Sequence, residues 1–118
     1  MKENVLCEKT LAFSVRIVNL HKFLTQKKEF VISKQLYKCG TSIGANVAEA
    51  QRAQSTADFV SKLKIAMKEA SETQYWLKLL HQTNYMSDRE FASIHNDLVE
   101  IIKILTVICK HYPQQNNS

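Results

Sequence analysis

Apolar positions recur along this chain at alternating spacings of four and three. Leu6, Thr10, Phe13, Ile17, Leu20 and Leu24 form the first stripe. That spacing keeps a set of side chains on one helical face. A polar stretch, Thr25 to Glu29, breaks the pattern. The second stripe is Ile32, Leu36, Cys39, Ile43, Val47 and Ala50, and Arg52 to Ser55 ends it. The third stripe is Phe59, Leu63, Ala66, Ala70, Thr73, Leu77 and Leu80, interrupted by Thr83 to Ser87. The fourth is Phe91, Ile94, Leu98, Ile101, Leu105 and Ile108. Ser55 with Asp58, and Ser87 with Glu90, have the spacing of capping boxes that start helices three and four.

Four helices of roughly twenty residues or more follow, each about 30 Å long. The breaks span only a few residues, so neighbouring helices must run antiparallel. The expected fold is all-α, an up-down-up-down antiparallel four-helix bundle, with shallow crossing angles. Residues 1–113 read as one bundle domain. The polar tail 114–118 after Pro113 reads as disordered.

Composition agrees with this picture. Two glycines and one proline among 118 residues are too few for the turns of a sheet-rich fold. No apolar run approaches the ~20 residues of a membrane span, and the N-terminus lacks the apolar centre of a signal peptide. Cys7, Cys39 and Cys109 are an odd set without a C-x-x-C, which fits reduced thiols in the cytoplasm better than a disulfide framework.

Both glycines lie in one pentapeptide, Gly40-Thr-Ser-Ile-Gly44. As G-x-S-x-G it matches the nucleophile elbow of serine hydrolases. That elbow needs a strand before the serine and a helix after it, whereas here the helical stripe runs straight through Ser42. The functional alternative is packing. Glycine costs about 1 kcal/mol against alanine inside a helix, so close approach of a neighbouring helix is the expected compensation. On a helical wheel Gly40 and Gly44 fall to one side of the Ile43 line. Ser42 and Asn46 fall on the other shoulder, with Glu49 beyond them. Gly40, Ser42, Gly44, Asn46 and Glu49 are therefore assigned to helix packing or a subunit contact.

Metal and cofactor chemistry finds no support in the pattern. No glutamate lies three residues before a histidine, as di-iron bundles require, and no Cys/His spacing suits zinc. His21 sits near a buried face and reads as a packed histidine, and Cys39 as a small hydrophobe. Trp76 beside Tyr75 offers rings suited to packing or an interface. No catalytic residue, metal ligand or cofactor is assigned.

A second apolar set lies opposite the core. Ile65, Trp76 and Leu79 face away from the Leu63 side of helix 3, and Leu11 and Val15 do the same on helix 1. Contiguous exposed apolar residues mark interfaces, so these five are assigned to self-association. Charge is lopsided as well. Residues 1–54 hold nine Lys/Arg against four Asp/Glu, and residues 55–118 hold seven of each. Lys27, Lys28, Lys34, Lys38 and Arg52 are assigned to a basic surface that neutralises phosphates of RNA or DNA. Along helix 3, Asp58–Lys62 and Lys68–Glu72 have the spacing of i,i+4 ion pairs.

The stretch Gln35-Leu-Tyr-Lys-Cys-Gly-Thr-Ser-Ile-Gly-Ala-Asn-Val-Ala-Glu-Ala50 resembles the signature of the four-helix bundle proteins named after 23S rRNA intervening sequences. Asp58 to Leu77 resembles their third helix. Where that family has arginine followed by a small residue, this chain has Lys38 and Cys39. The resemblance implies a left-handed bundle assembled as a homopentamer. It also implies kinship with the accessory protein of diversity-generating retroelements, a basic pentameric barrel that binds nucleic acid and a reverse transcriptase. The expected function is a non-enzymatic, self-associating nucleic-acid-binding accessory protein. The alternative is a protein–protein interaction scaffold that binds no nucleic acid.

Overall fold

The computed structural model describes residues 2–112. Four α-helices fill that span: α1 Lys2–Gln26, α2 Val31–Ala50, α3 Thr56–Gln82 and α4 Asp88–His111. Each packs on two neighbours. α1 touches α2 and α4, and α3 touches α2 and α4, so the helices close a ring around one core. Connections of four or five residues join them, which leaves each helix antiparallel to the next. The tail 114–118, read above as disordered, lies outside the described residues, as does Pro113.

The core is the four stripes. Phe13, Ile17, Leu24, Leu36, Ile43, Leu63, Leu77, Leu98, Ile101 and Leu105 are all fully buried. Alanines at 66 and 70 line α3 where it meets its neighbours. Leu20, Ile32, Phe59 and Phe91 pack on this core from its margin and are only partly covered. Val60 and Ser33 are buried although neither belongs to a stripe. The buried threonines are satisfied inside their own helices. Thr10 Oγ1 donates to the Leu6 carbonyl at 2.8 Å, and Thr73 Oγ1 to the Glu69 carbonyl at 2.7 Å. Among the described residues, no buried side-chain nitrogen or oxygen lacks a partner.

The helix ends are closed without glycine. At the end of α1, Lys28 adopts a left-handed φ of 64°. Its N–H donates to the Thr25 carbonyl, and the Glu29 N–H to the Leu24 carbonyl, both at 2.9 Å. Asn84 repeats the arrangement after α3, with φ 69° and bonds from Asn84 to His81 and from Tyr85 to Leu80. These are Schellman caps, in which the left-handed residue is usually glycine. Both glycines stand instead within α2, and neither has positive φ. They are used for space, not for conformation.

The starts of the helices follow the side-chain signals. Ser87 Oγ accepts from Glu90 N at 3.1 Å while Glu90 Oε1 accepts from Ser87 N at 2.9 Å, a complete capping box. At α3 the box is skewed. Ser55 Oγ accepts from Asp58 N, but the Asp58 carboxylate reaches back to Gln54 N. α2 has no capping side chain at Phe30. The Glu29 carboxylate takes that role, accepting from Ser33 N at 2.7 Å and Ile32 N at 3.2 Å. The ion pairs expected along α3 do not form. Lys62 Nζ pairs across to Glu49 on α2 at 3.1 Å, and Glu72 Oε2 accepts from Trp76 Nε1. Lys62 leaves Asp58 for a tertiary neighbour, while Glu72 bonds Trp76 one turn after it and not Lys68 one turn before it.

Candidate nucleic-acid interface and subunit contacts

α2 and the connections at its two ends carry the basic and glycine-motif residues singled out in the sequence. One flank carries the glycines and meets α1. A Cβ on Gly40 would lie 2.8 to 3.0 Å from three side-chain carbons of Ile17. One on Gly44 would lie 3.1 Å from Ser14 Oγ and 3.2 Å from the Thr10 carbonyl oxygen. Hydrogen is the only side chain that fits this crossing unaltered.

The opposite flank carries Ser42, Asn46 and Glu49 and meets α3. Asn46 Nδ2 donates to the Ser42 carbonyl at 2.8 Å and to Ser42 Oγ at 3.1 Å. Ser42 thus sits mid-helix, its hydroxyl engaged by an amide of the same helix. Glu49 holds Lys62 of α3. Cys39 points to the same side, and burial pushes its thiol up to about 11.

A serine–histidine contact does exist elsewhere. Ser33 Oγ and His21 Nδ1 are 2.6 Å apart. Ser33 is fully buried, so no substrate reaches its hydroxyl. With Glu29 on the Ser33 amide, the pair ties the end of α1 to the start of α2. Sequence periodicity gave no signal for it, because a polar residue adds nothing to an apolar stripe.

Between the two flanks lies the outward ridge of α2, with Lys34 and Lys38 one helical turn apart and exposed. Lys27 and Lys28 occupy the adjoining α1–α2 connection, at the same end of the bundle. Arg52 does not join them. It sits in the α2–α3 connection at the other end, about 27 Å from Lys34 at the helical rise. None of the five pairs with a carboxylate, whereas Lys9, Arg16 and Lys62 are held by Glu100, Asp97 and Glu49.

The sequence reading missed the rings among these lysines. Phe30 is 60% exposed and Tyr37 42%. Phe23 lies under Lys27, whose Nζ is 5.6 Å from the ring centroid. Tyr37 rests on His21 with centroids 4.8 Å apart. The interleaving of Phe23, Phe30 and Tyr37 with Lys27, Lys28, Lys34 and Lys38 was visible in the sequence. Only the fold shows that the rings are left uncovered.

The residues assigned to self-association divide between the two flanks. On α1, Leu11 is 68% exposed and Val15 54%. They follow Thr10 and Ser14, the residues that touch Gly44, so they border the glycine side of α2. On α3, Ile65 is exposed, while Trp76 and Leu79 are half-buried. The Trp76 ring leans edge-on against Tyr75 at 5.1 Å. Ile65 lies one turn from Lys62, on the side facing Glu49. Among the described residues, no helix is long and apolar enough to cross a membrane.

Comparison with known proteins adds the lineage. The model of the 23S rRNA-intervening sequence protein family matches residues 2–107. No curated protein matches significantly. A crystal structure from Bacteroides thetaiotaomicron VPI-5482, described as a protein of unknown function from the S23 ribosomal protein family, is 58% identical. The match covers 93% of this chain and 99% of that one, with a TM-score of 0.92.

Proposed function

We propose, from the premise that this chain belongs to the 23S rRNA-intervening sequence protein family, that it is a non-enzymatic, self-associating bundle that binds RNA or DNA in the cytoplasm. The observation that carries this reading is the end of the bundle where α1 turns into α2. Four lysines without carboxylate partners stand there among exposed aromatic rings. Lysines neutralise backbone phosphates while rings stack on unpaired bases. Arg52, about 27 Å away, touches the same ligand only if it runs along α2. That span equals about eight nucleotide steps at ~3.4 Å each.

Self-association rests on the two different apolar patches flanking α2. A contact between unlike patches is heterologous, and such contacts close into a ring where the rotation between subunits closes. The family resemblance supplies the number, a homopentamer, and a reverse transcriptase as the protein partner. A ring repeats the lysine cluster and multiplies its avidity.

Titration of labelled single- and double-stranded RNA and DNA at several salt concentrations tests the proposal. The expected result is binding whose logarithm falls with the logarithm of salt with slope about −3 to −4 per engaged subunit. The double substitution Lys34→Glu, Lys38→Glu should abolish it. Absence of binding at low salt would overturn the nucleic-acid reading and leave the scaffold.

A further inference from the structure

We propose that the groove between α1 and the start of α4 is a binding site for a small amphipathic organic anion. The groove has a volume of about 480 Å³, within the range of small-molecule sites. Its floor is apolar, made by Leu20 of α1, Met86 of the α3–α4 connection and Ile94 of α4. Met86 and Ile94 are nearly fully buried. Phe23 and Tyr85 stand at its walls. Flat faces above an aliphatic floor suit an aromatic or branched hydrocarbon body.

The polar rim sets the charge of the ligand. Arg16 spans one edge, with Nη1 donating to Asp97 Oδ2 at 2.7 Å and to the Ser93 carbonyl at 3.2 Å, and Nη2 to Ser93 Oγ at 3.0 Å. Its charge is neutralised and its position fixed. Glu90 also lines the groove, but its carboxylate is turned back onto the Ser87 amide, at the positive end of the α4 dipole. Arg89 is different. It is exposed on the rim, and no carboxylate or other polar group of the described residues holds it. Asn19, on the facing wall, is equally unengaged. One guanidinium fork and one amide over an apolar slot match a single carboxylate or sulfonate head group. The groove opens between α1 and α4, away from both flanks of α2. It therefore stays open in the ring proposed above, and at its inner end it shares Phe23 with the lysine cluster.

Anilinonaphthalene sulfonate is the probe, with uncharged phenylnaphthylamine as its control. The expected result is saturable fluorescence enhancement with one sulfonate bound per chain, displaced by naphthoate. Arg89→Glu should weaken the sulfonate about tenfold or more and change the neutral probe little. Ile94→Trp, which fills the floor, should weaken both. Arg89 is exposed, so its substitution decides the matter even if the filled variant fails to fold. The proposal is overturned by absent saturation or by sulfonate binding indifferent to Arg89→Glu. Displacement by an acidic peptide but not by naphthoate would also overturn it. None of these outcomes depends on RNA or DNA binding.

Discussion

Gly40 and Ile17 share one space. The Cβ that any other residue would bring to position 40 falls 2.8 Å from Ile17 Cγ1 and 2.9 Å from Cγ2. Ile17 is fully buried and branched at Cβ, so its χ1 has little freedom to yield. Alanine at position 40 would gain about 1 kcal/mol in helix propensity and lose more to overpacking, about 2 to 3 kcal/mol. Thermal and urea unfolding of Gly40→Ala should show a net loss of about 1 to 2 kcal/mol. Adding Ile17→Val removes one of the clashing carbons. The double variant should lose less than the sum of the two single changes, a coupling that a double-mutant cycle measures directly.

Lys28 is strained where Gly40 is crowded. A β-carbon at a φ of 64° costs roughly 1 kcal/mol or more for a residue other than glycine or asparagine. Lys28→Gly keeps the Schellman cap and relieves that cost, so it should raise stability by about 1 kcal/mol. The same change removes one cation from the proposed interface. Stability should rise while nucleic-acid affinity falls and its salt slope becomes shallower by about one phosphate. A drop in melting temperature would show that the lysine stem is needed for packing.

These two positions show what the sequence could and could not disclose. Four amphipathic stripes were legible because helical periodicity is a local property, and burial follows it from Leu6 to Ile108. The glycines were legible as packing residues because their cost inside a helix demands a compensation. Their partners, Ile17 and Thr10, were not, since nothing local says which turn of α1 meets them. The Asp58–Lys62 pair along α3 failed for the same reason. Lys62 reaches Glu49, thirteen residues earlier, because the α2–α3 crossing brings that carboxylate within 3.1 Å. Capping by Glu29 and the Ser33–His21 bond were invisible to a search for apolar period. In the candidate interface, charge identified the lysines, but only the helix end placed Arg52 far from the other four.

His95 predicts a pH dependence. Burial, with help from Lys78, holds its imidazole below the ordinary value of 6.5. In its neutral form it accepts from the Gln74 amide at 2.9 Å, and it stacks on Phe91 at 4.8 Å, with His81 on the other face of that ring. The unfolded chain therefore takes up this proton at a higher pH than the folded one. Its contribution to stability is complete above about pH 6.5, is lost as pH falls below that, and levels off once the folded imidazole is also charged. Melting temperature should drop between about pH 7 and pH 5, and His95→Gln should flatten that part of the profile. An unchanged slope in the variant would remove His95 as the cause.

Cys39 offers a test of how tightly the α2–α3 side is closed. Its thiol is buried, its Sγ–H points to the Leu36 carbonyl at 3.7 Å, and burial raises its pKa to about 11. Thiolate is the reactive form, so at neutral pH both access and ionisation oppose alkylation. Cys109 is only partly buried, and its thiol is also raised by burial, with Lys64 opposing the shift. Iodoacetamide at about pH 8 should therefore modify Cys109 well before Cys39. Labelling of Cys39 should occur only through global unfolding, at a rate that follows urea concentration with the full unfolding slope. Fast labelling of Cys39 in native buffer, read by peptide mass, would mean that α2 and α3 part locally and that the flank carrying Ser42 and Asn46 is a mobile surface.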